Sequence, residues 1–335
     1  MINEGNSVII TSRNKDVSFE LLNAYGLKHI DFGKGTYGGG ALGKILYLIY
    51  ATFKFFFLFI KKMPSITISF SSSPLAIVSW MFRVPHISFD DTEHAKLNRL
   101  IYSAFTPLII SPASFYEDLG DHHCRFNGYM ELFYLHKNRF TPNSKALDLI
   151  GLDKNEPYTL FRFVSWEAFH DIGQKGLNQS EKIEIVLEAK KYGKVFISSE
   201  GNLPKKLKPY ELNLPAESLH DILFFSSLYV GEGGTTASEC AMIGTPSIYI
   251  NSLPLMGYLK EVKKNKLLYH LNEVDQIKRR MKIIYNSPSS IYESQKNKML
   301  KNTIDPTEFL IWLIKNYPES KDILLSDPIY QNRFQ

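Results

Sequence analysis

Short apolar runs separated by helical stretches recur along the whole chain, and this alternation constrains the fold more than any other feature. In the first half the runs are Ser7–Thr11 (SVIIT), His29–Phe32, Ile66–Phe70 (ITISF), His86–Phe89 (HISF) and Leu108–Ser111 (LIIS). Between them Phe19–Ala24, Ile45–Ile60, Leu75–Phe82 and Glu93–Phe105 read as helices. Runs this short and this apolar suit strands buried on both faces, and intervening helices imply parallel pairing in a doubly wound sheet. The polar stretch Phe140–Pro157, which holds Pro142 and Pro157, interrupts the pattern and marks a domain boundary. The alternation then restarts. Thr159–Phe163, Val195–Ser198, Ser227–Val230 and Ser247–Ile250 read as strands, and Ser180–Tyr192, Ser218–Phe225 and Thr235–Ile243 as helices. Helical pattern dominates from there to Asp305, and Pro306–Asn316 is a last amphipathic helix.

A length of 335 residues agrees with two domains of roughly 150 residues each. The expected division is 1–145, then 155–305, with a C-terminal helix and tail at 306–335. Two α/β domains of similar size facing each other would enclose a cleft. The opening is unusual. Ser7–Thr11 looks like a second strand rather than a first, and the first strand of such a sheet normally lies centrally. Either the sheet is built differently or about 20 residues, one strand, loop and helix, are missing upstream.

With 44% hydrophobic and 22% charged residues the chain is neither disordered nor low-complexity. Two cysteines, Cys124 and Cys240, exclude a disulfide scaffold and a Cys-rich metal module. A net charge of +5 suits anionic small ligands or an anionic membrane surface at least as well as nucleic acid. Met1–Gly5 is polar and no secretory pattern follows, so the expected compartment is the cytoplasm. Ile45–Ile60 (ILYLIYATFKFFFLFI), followed by Lys61 and Lys62, is short for a spanning helix, which wants about 20 apolar residues. A buried helix is the first expectation. The other reading is a helix lying on a membrane, with Lys54, Lys61 and Lys62 near headgroups.

The most informative stretch is Gly231-Glu232-Gly233-Gly234-Thr235-Thr236-Ala237-Ser238-Glu239, between a strand and a helix. Consecutive glycines let the backbone approach a ligand. A helix N-terminus offers free N–H groups and a positive dipole end, which suit a phosphate or pyrophosphate. Glu239 is placed to accept hydrogen bonds from ribose hydroxyls. The competing reading is a capping box, Thr236 with Glu239, which needs no ligand but leaves the glycines before it unexplained.

Gly33-Lys34-Gly35-Thr36-Tyr37-Gly38 matches a dinucleotide fingerprint but lacks the acid about 20 residues on. Gly38–Lys44 matches a phosphate-loop spacing, but Ile45 stands where magnesium needs a hydroxyl. Both fail on their chemistry, which disfavours NAD and ATP and leaves a glycine loop able to close over a substrate. Asp90-Asp91-Thr92-Glu93-His94 follows the HISF strand, where α/β folds place ligands. It offers carboxylates beside a histidine for acid–base work, with Thr92 as a helix cap as the plainer reading. Arg162, Glu167, His170 and Asp171 gather after the strand that opens the second half. Arg162 suits phosphate and His170 proton transfer or phosphate binding; a polar loop over Trp166 is the plainer reading. The tetrad Asp121-His122-His123-Cys124 lacks the surroundings an acyltransferase needs and reads as coincidence. No GxSxG or HExxH is present. Lys278-Arg279-Arg280 reads as a solvated helix face.

The segments FDDTEHAKLNRL, FNGYMELFYLH, RFVSWEAFHD and VGEGGTTASECAMIGTPSIYI, in that order, resemble domain-of-unknown-function family 354. That family is related to GT-B glycosyltransferases and UDP-N-acetylglucosamine 2-epimerase. The resemblance spans roughly Asn3 to Leu271. It implies a GT-B-like α/β fold of two Rossmann-like, doubly wound parallel-sheet domains, the second holding a nucleotide sugar. It implies that Gly233, Gly234 and Thr235 hold the diphosphate and Glu239 the ribose, with Glu93 as the acidic residue of the first domain and His170 as the cleft histidine. The residues themselves add Arg162 and the amides up to Thr236 as stabilisers of the departing diphosphate, and Asp91 or His94 as alternatives to Glu93 as the base. The resemblance implies a UDP-linked nucleotide-sugar substrate with no bound metal required, and a carbohydrate or lipid-linked acceptor rather than nucleic acid. The family's first strand and first loop have no counterpart here. The expected function is sugar transfer in surface-polysaccharide or lipopolysaccharide assembly, in the cytoplasm or at the inner face of the plasma membrane, with contact through 45–62. Epimerisation of the sugar nucleotide and binding without turnover are the alternatives.

Overall fold

The computed structural model describes residues 1–14, 17–37, 40–164 and 176–335. The chain forms two compact units: Met1–Gly128 together with Ile304–Gln335, and Tyr129–Thr303.

The first unit runs β1 (Ile10–Ser12), α1 (Ser18–Ala24), β2 (His29–Asp31), α2 (Gly40–Lys61), β3 (Thr67–Phe70), α3 (Ser73–Met81), β4 (His86–Phe89), α4 (Lys96–Ser103), β5 (Leu108–Pro112) and β6 (His123–Phe126). Its strands are parallel and make two sheets, β1-β2 and β3-β4-β5-β6. Every residue of β4 (HISF) and β5 (LIISP) is buried, their polar members His86, Ser88 and Ser111 included, as befits strands covered on both faces. No strand precedes β1 among the described residues. β1 pairs with β2, and the larger sheet begins at β3.

One buried imidazole in this sheet is matched locally. His86, buried in β4, has Nδ1 2.9 Å from Thr67 Oγ1 and Nε2 3.2 Å from Ser69 Oγ. Burial pushes its pKa down to about 4.

Helix α2 departs from expectation. It is 22 residues long rather than 16, because Gly40 to Lys44 and Lys61 join it. One face, Ala51, Phe55 and Phe59, packs with Phe32, Leu75 and Val78. The opposite face is not buried: Leu42, Ile45, Leu46, Ile49, Phe53, Phe57 and Ile60 are exposed. The buried-helix expectation holds for one side only. A helix apolar all round gives no periodicity from which the sequence can tell inner from outer face.

The second unit holds α5 (Leu132–Leu135), a 3-10 helix at Ser144–Ile150, β7 (Tyr158–Phe163), α6 (Gln179–Ala189), β8 (Lys194–Ser199), α7 (Leu219–Phe225), β9 (Leu228–Gly231), α8 (Gly234–Ile243), β10 (Ser247–Tyr249), α9 (Gly257–Lys264), β11 (Leu268–His270), α10 (Val274–Tyr285) and α11 (Ser290–Leu300). Its five parallel strands lie in the order β11-β10-β9-β7-β8. The chain therefore reverses direction across the sheet between β7 and β9, and ligands in such folds bind beyond the strand ends at that reversal. Helix α6 starts at a complete capping box, Asn178 with Glu181. Helix α8 stops at Gly244, whose φ of 90° suits glycine. The polar stretch Phe140–Pro157, chosen as a boundary, carries Ala146 and Leu147 into this unit's core, and Asn143 N–H bonds the Asp221 carboxylate 2.8 Å away.

The chain returns to the first unit with α12 (Pro306–Lys315), capped by Asp305, and α13 (Glu319–Ser326). The backbone of Asn127 clasps this segment twice. Its carbonyl accepts from Ile304 N–H at 2.8 Å, and its N–H donates to Gln331 Oε1 at 2.7 Å.

Candidate functional site

The turn from β9 to α8 is where local sequence and sheet topology meet. Gly231 ends β9 opposite Arg162 of β7. A Cβ on Gly231 would lie 2.2 Å from Tyr229 Oη and 3.0 Å from the Arg162 carbonyl, so only glycine fits. Gly233 is the N-cap of α8, in extended backbone (φ −95°, ψ 122°), and has no side chain with which to cap. The first N–H groups of the helix, at Gly234, Thr235 and Thr236, therefore receive no capping side chain among the described residues. The capping-box reading is corrected. Thr236 is the third helical residue and is buried. Glu239 turns elsewhere: its Oε1 accepts from Tyr134 Oη at 2.9 Å and lies 3.0 Å from His220 Nε2.

Arg162 sits at the C-terminal end of β7, and its carbonyl accepts the Glu232 N–H at 3.1 Å. Its guanidinium lies 3.3 Å from Glu200 Oε1, in a partly exposed pair. Such a pair is worth about 1 kcal/mol or less and yields readily to a stronger anion. The structure thus brings Arg162 alongside the glycine turn.

Glu232, to which the sequence assigns no role, organises the turn through its carboxylate. Oε2 accepts the Val164 N–H at 3.0 Å, and Lys182 Nζ lies 3.2 Å from Oε1. Lys182 also covers the Phe163 ring, 4.5 Å from its centroid. Buried among these partners, Glu232 ties the end of β7 and helix α6 to the turn, which fixes the turn before any ligand arrives. An acid inside a glycine turn is the only sequence signal for it. Tyr134 and His220 gave none, because their partner Glu239 is distant in sequence. His170, Glu167 and Asp171 lie outside the described residues.

In the first unit Asp90, Asp91, Thr92, Glu93 and His94 form the turn after β4. Helix α4 starts at Lys96 with Ala95 as N-cap, not at Glu93 with Thr92 as cap. Thr92 instead serves the aspartates: its N–H donates to Asp90 Oδ1 and its hydroxyl to Asp91 Oδ1, each at 2.9 Å. Asp90 is buried and also accepts from Tyr102 Oη at 2.5 Å, a structural role. Asp91 has its pKa raised to about 6 by burial, with Asp90 and Glu93 adding repulsion. Glu93 is buried, its carbonyl held by both terminal nitrogens of Arg99 at 3.3 Å. His94 is exposed. A carboxyl group titrating near 6 can take up or release a proton close to neutral pH.

Parallel sheets in a Rossmann-like layout, with a glycine turn at the strand reversal, define an α/β fold, and its structural matches are epimerases and glycosyltransferases of the GT-B type. The chain belongs to the family described as "Protein of unknown function (DUF354)", which it matches over residues 1–319. Solved structures agree on the fold. UDP-GlcNAc 2-epimerase from Neisseria meningitidis, bound to UDP-GlcNAc, is 13% identical over 92% of each chain, with a TM-score of 0.60. The epimerase from Methanocaldococcus jannaschii is 10% identical, covering 86% of this chain and 88% of that one, at 0.59. The glycotransferase of kitacinnamycin is 9% identical over 87% of each chain, at 0.53. No curated protein matches the sequence.

Proposed function

We propose that the chain is a sugar-nucleotide enzyme that holds a UDP-sugar on its second unit and transfers the sugar to a carbohydrate or lipid-linked acceptor. The observation that carries this is the uncapped N-terminus of α8 beside Arg162 at the strand reversal. The amides of Gly234, Thr235 and Thr236, with Gly233 leaving the approach open, bind the diphosphate. Arg162 exchanges Glu200 for phosphate oxygen. Glu239 takes the ribose hydroxyls through the oxygen that Tyr134 and His220 leave over.

In the transfer, the acceptor hydroxyl gives its proton to a carboxylate or imidazole among Asp91, Glu93 and His94. Its oxygen bonds to the anomeric carbon as the bond from that carbon to phosphate breaks. UDP departs with the electron pair, and the amides and Arg162 stabilise its charge. No metal is needed for this scheme, so turnover is expected to survive chelation by EDTA. The setting proposed is surface-polysaccharide or lipopolysaccharide assembly on the cytoplasmic side.

A second reading, epimerisation, is favoured by the likeness to the epimerases, with Glu93 and His170 handling the proton and the departing UDP. Calorimetry with UDP and UDP-GlcNAc, then product analysis with and without acceptor, separates the readings. Conversion of the sugar nucleotide alone means an epimerase, and consumption only with acceptor means a transferase. Absence of UDP binding would sink both.

A further inference from the structure

We propose that the outer face of α2 lies in the surface of an anionic lipid bilayer. This goes beyond the sugar-nucleotide reading and does not rest on it. The apolar stripe Leu46, Ile49, Phe53, Phe57 and Ile60 recurs every three or four residues and is exposed. It is the side opposite Ala51, Phe55 and Phe59, which already secure the helix to its unit. The stripe is therefore not needed for folding, and soluble monomers rarely expose a contiguous apolar surface of this kind. The helix is long enough to cross a bilayer by length and composition. Its inner face is packed along the helix, so it lies flat, with the folded unit standing in for the polar side of an interfacial helix.

Charge selects the kind of surface. Between Phe32 and Phe89 the chain carries Lys34, Lys44, Lys54, Lys61, Lys62 and Arg83 and not one Asp or Glu. Lys54, the one lysine in the middle of α2, does not interrupt the stripe. Its ammonium turns to the Asp31 carbonyl and the Tyr50 hydroxyl. Lys44 and Lys61-Lys62 flank the stripe at its two ends, where headgroups would meet them. The same charges argue against a second copy of the chain on this face. A two-fold pairing sets each patch against itself, and lysines would meet lysines with no carboxylate between.

The test uses the full chain and two sets of vesicles, phosphatidylcholine alone and phosphatidylcholine mixed equally with phosphatidylglycerol. The chain should float with the anionic vesicles and stay behind with the neutral ones. Lys61→Gln with Lys62→Gln should weaken the anionic partition by on the order of tenfold. Phe53→Ser with Phe57→Ser should abolish it while circular dichroism and thermal unfolding stay near wild type. Phe57→Trp, a conservative change, gives a readout that does not depend on that variant folding. Its emission should shift blue, and be quenched by brominated lipid, only with anionic vesicles. Equal partition into neutral vesicles, no flotation at all, or a lipid-free dimer that dissociates in the serine variant would each overturn the proposal, the last in favour of a second copy.

Discussion

Replacing Gly233 by aspartate should move stability and nucleotide binding in opposite directions. Gly233 already has the extended backbone of an N-cap, and a Cβ there comes no nearer than 3.9 Å to Tyr229 Oη or Val164 Cγ1. An aspartate therefore fits, and its carboxylate can accept the N–H groups that the glycine leaves to a ligand. Asp is preferred to Gly at this position by a few tenths of a kcal/mol, with a further ~0.3–1 kcal/mol from the helix dipole. For a body of this size that raises the melting temperature by about 2–4 °C at most. Binding should suffer more. Two lost charge-assisted hydrogen bonds at ~1.5–3 kcal/mol each remove at least about 3 kcal/mol, or a factor of at least ~100 in affinity for UDP. Gly231→Ala is the contrast. Its Cβ would sit 2.2 Å from Tyr229 Oη, so it should destabilise the second unit by ~1–3 kcal/mol or more through overpacking. Thermal unfolding and calorimetry on the same preparations decide the matter. A folded Gly233→Asp protein with wild-type affinity for UDP would refute the assignment of the phosphate to this turn.

Two further outcomes concern pH. His86 has its folded pKa depressed, so its contribution to stability is complete above pH ~6.5 and is lost as pH falls toward 4. At about 1.36 kcal/mol per pH unit the loss approaches ~3 kcal/mol. Denaturant titrations at pH 7.5 and 4.5 should show it for wild type and lose most of it in His86→Gln; the same slope in both would count against the buried neutral imidazole. Asp91 has its folded pKa raised to about 6, so its ionised form opposes folding above that pH. Asp91→Asn should stabilise the first unit by up to ~3 kcal/mol at neutral pH, with the gain vanishing below pH ~4, while slowing turnover if Asp91 takes the acceptor proton. A variant no more stable at pH 8 than wild type would remove the premise.

What the sequence disclosed followed the range over which each signal acts. β4, β5, β7 and β9 are short, mostly apolar runs and are legible to within a residue or two. β6, His123–Phe126, alternates buried Cys124 and Phe126 with half-buried His123 and Arg125, and β11 is three residues long, so neither rose above its helical or polar surroundings. The glycine turn was legible because its chemistry is local: strand, glycines and helix start within nine residues of sequence. The partners that fix it were not. Lys182 reaches Glu232 from fifty positions away, and Tyr134 reaches Glu239 from over a hundred. The outer face of α2 was illegible for a different reason, since uniform apolarity carries no phase.

The first unit is discontinuous, and this sets an order of events during synthesis. Tyr129–Thr303 is a continuous segment with its own sheet and core, so it can condense as soon as it clears the ribosome. The first unit is translated earlier but cannot close until the last residues emerge. Asn127 waits for Ile304 and Gln331, Phe126 for the ring of Phe309, and Glu4 for Lys315. A nascent chain stalled before Ile304 would therefore carry a finished second unit and an open first one. Quality control by proteases should accordingly read through the first unit whether residues 304–335 have been made, although most of that unit is made first.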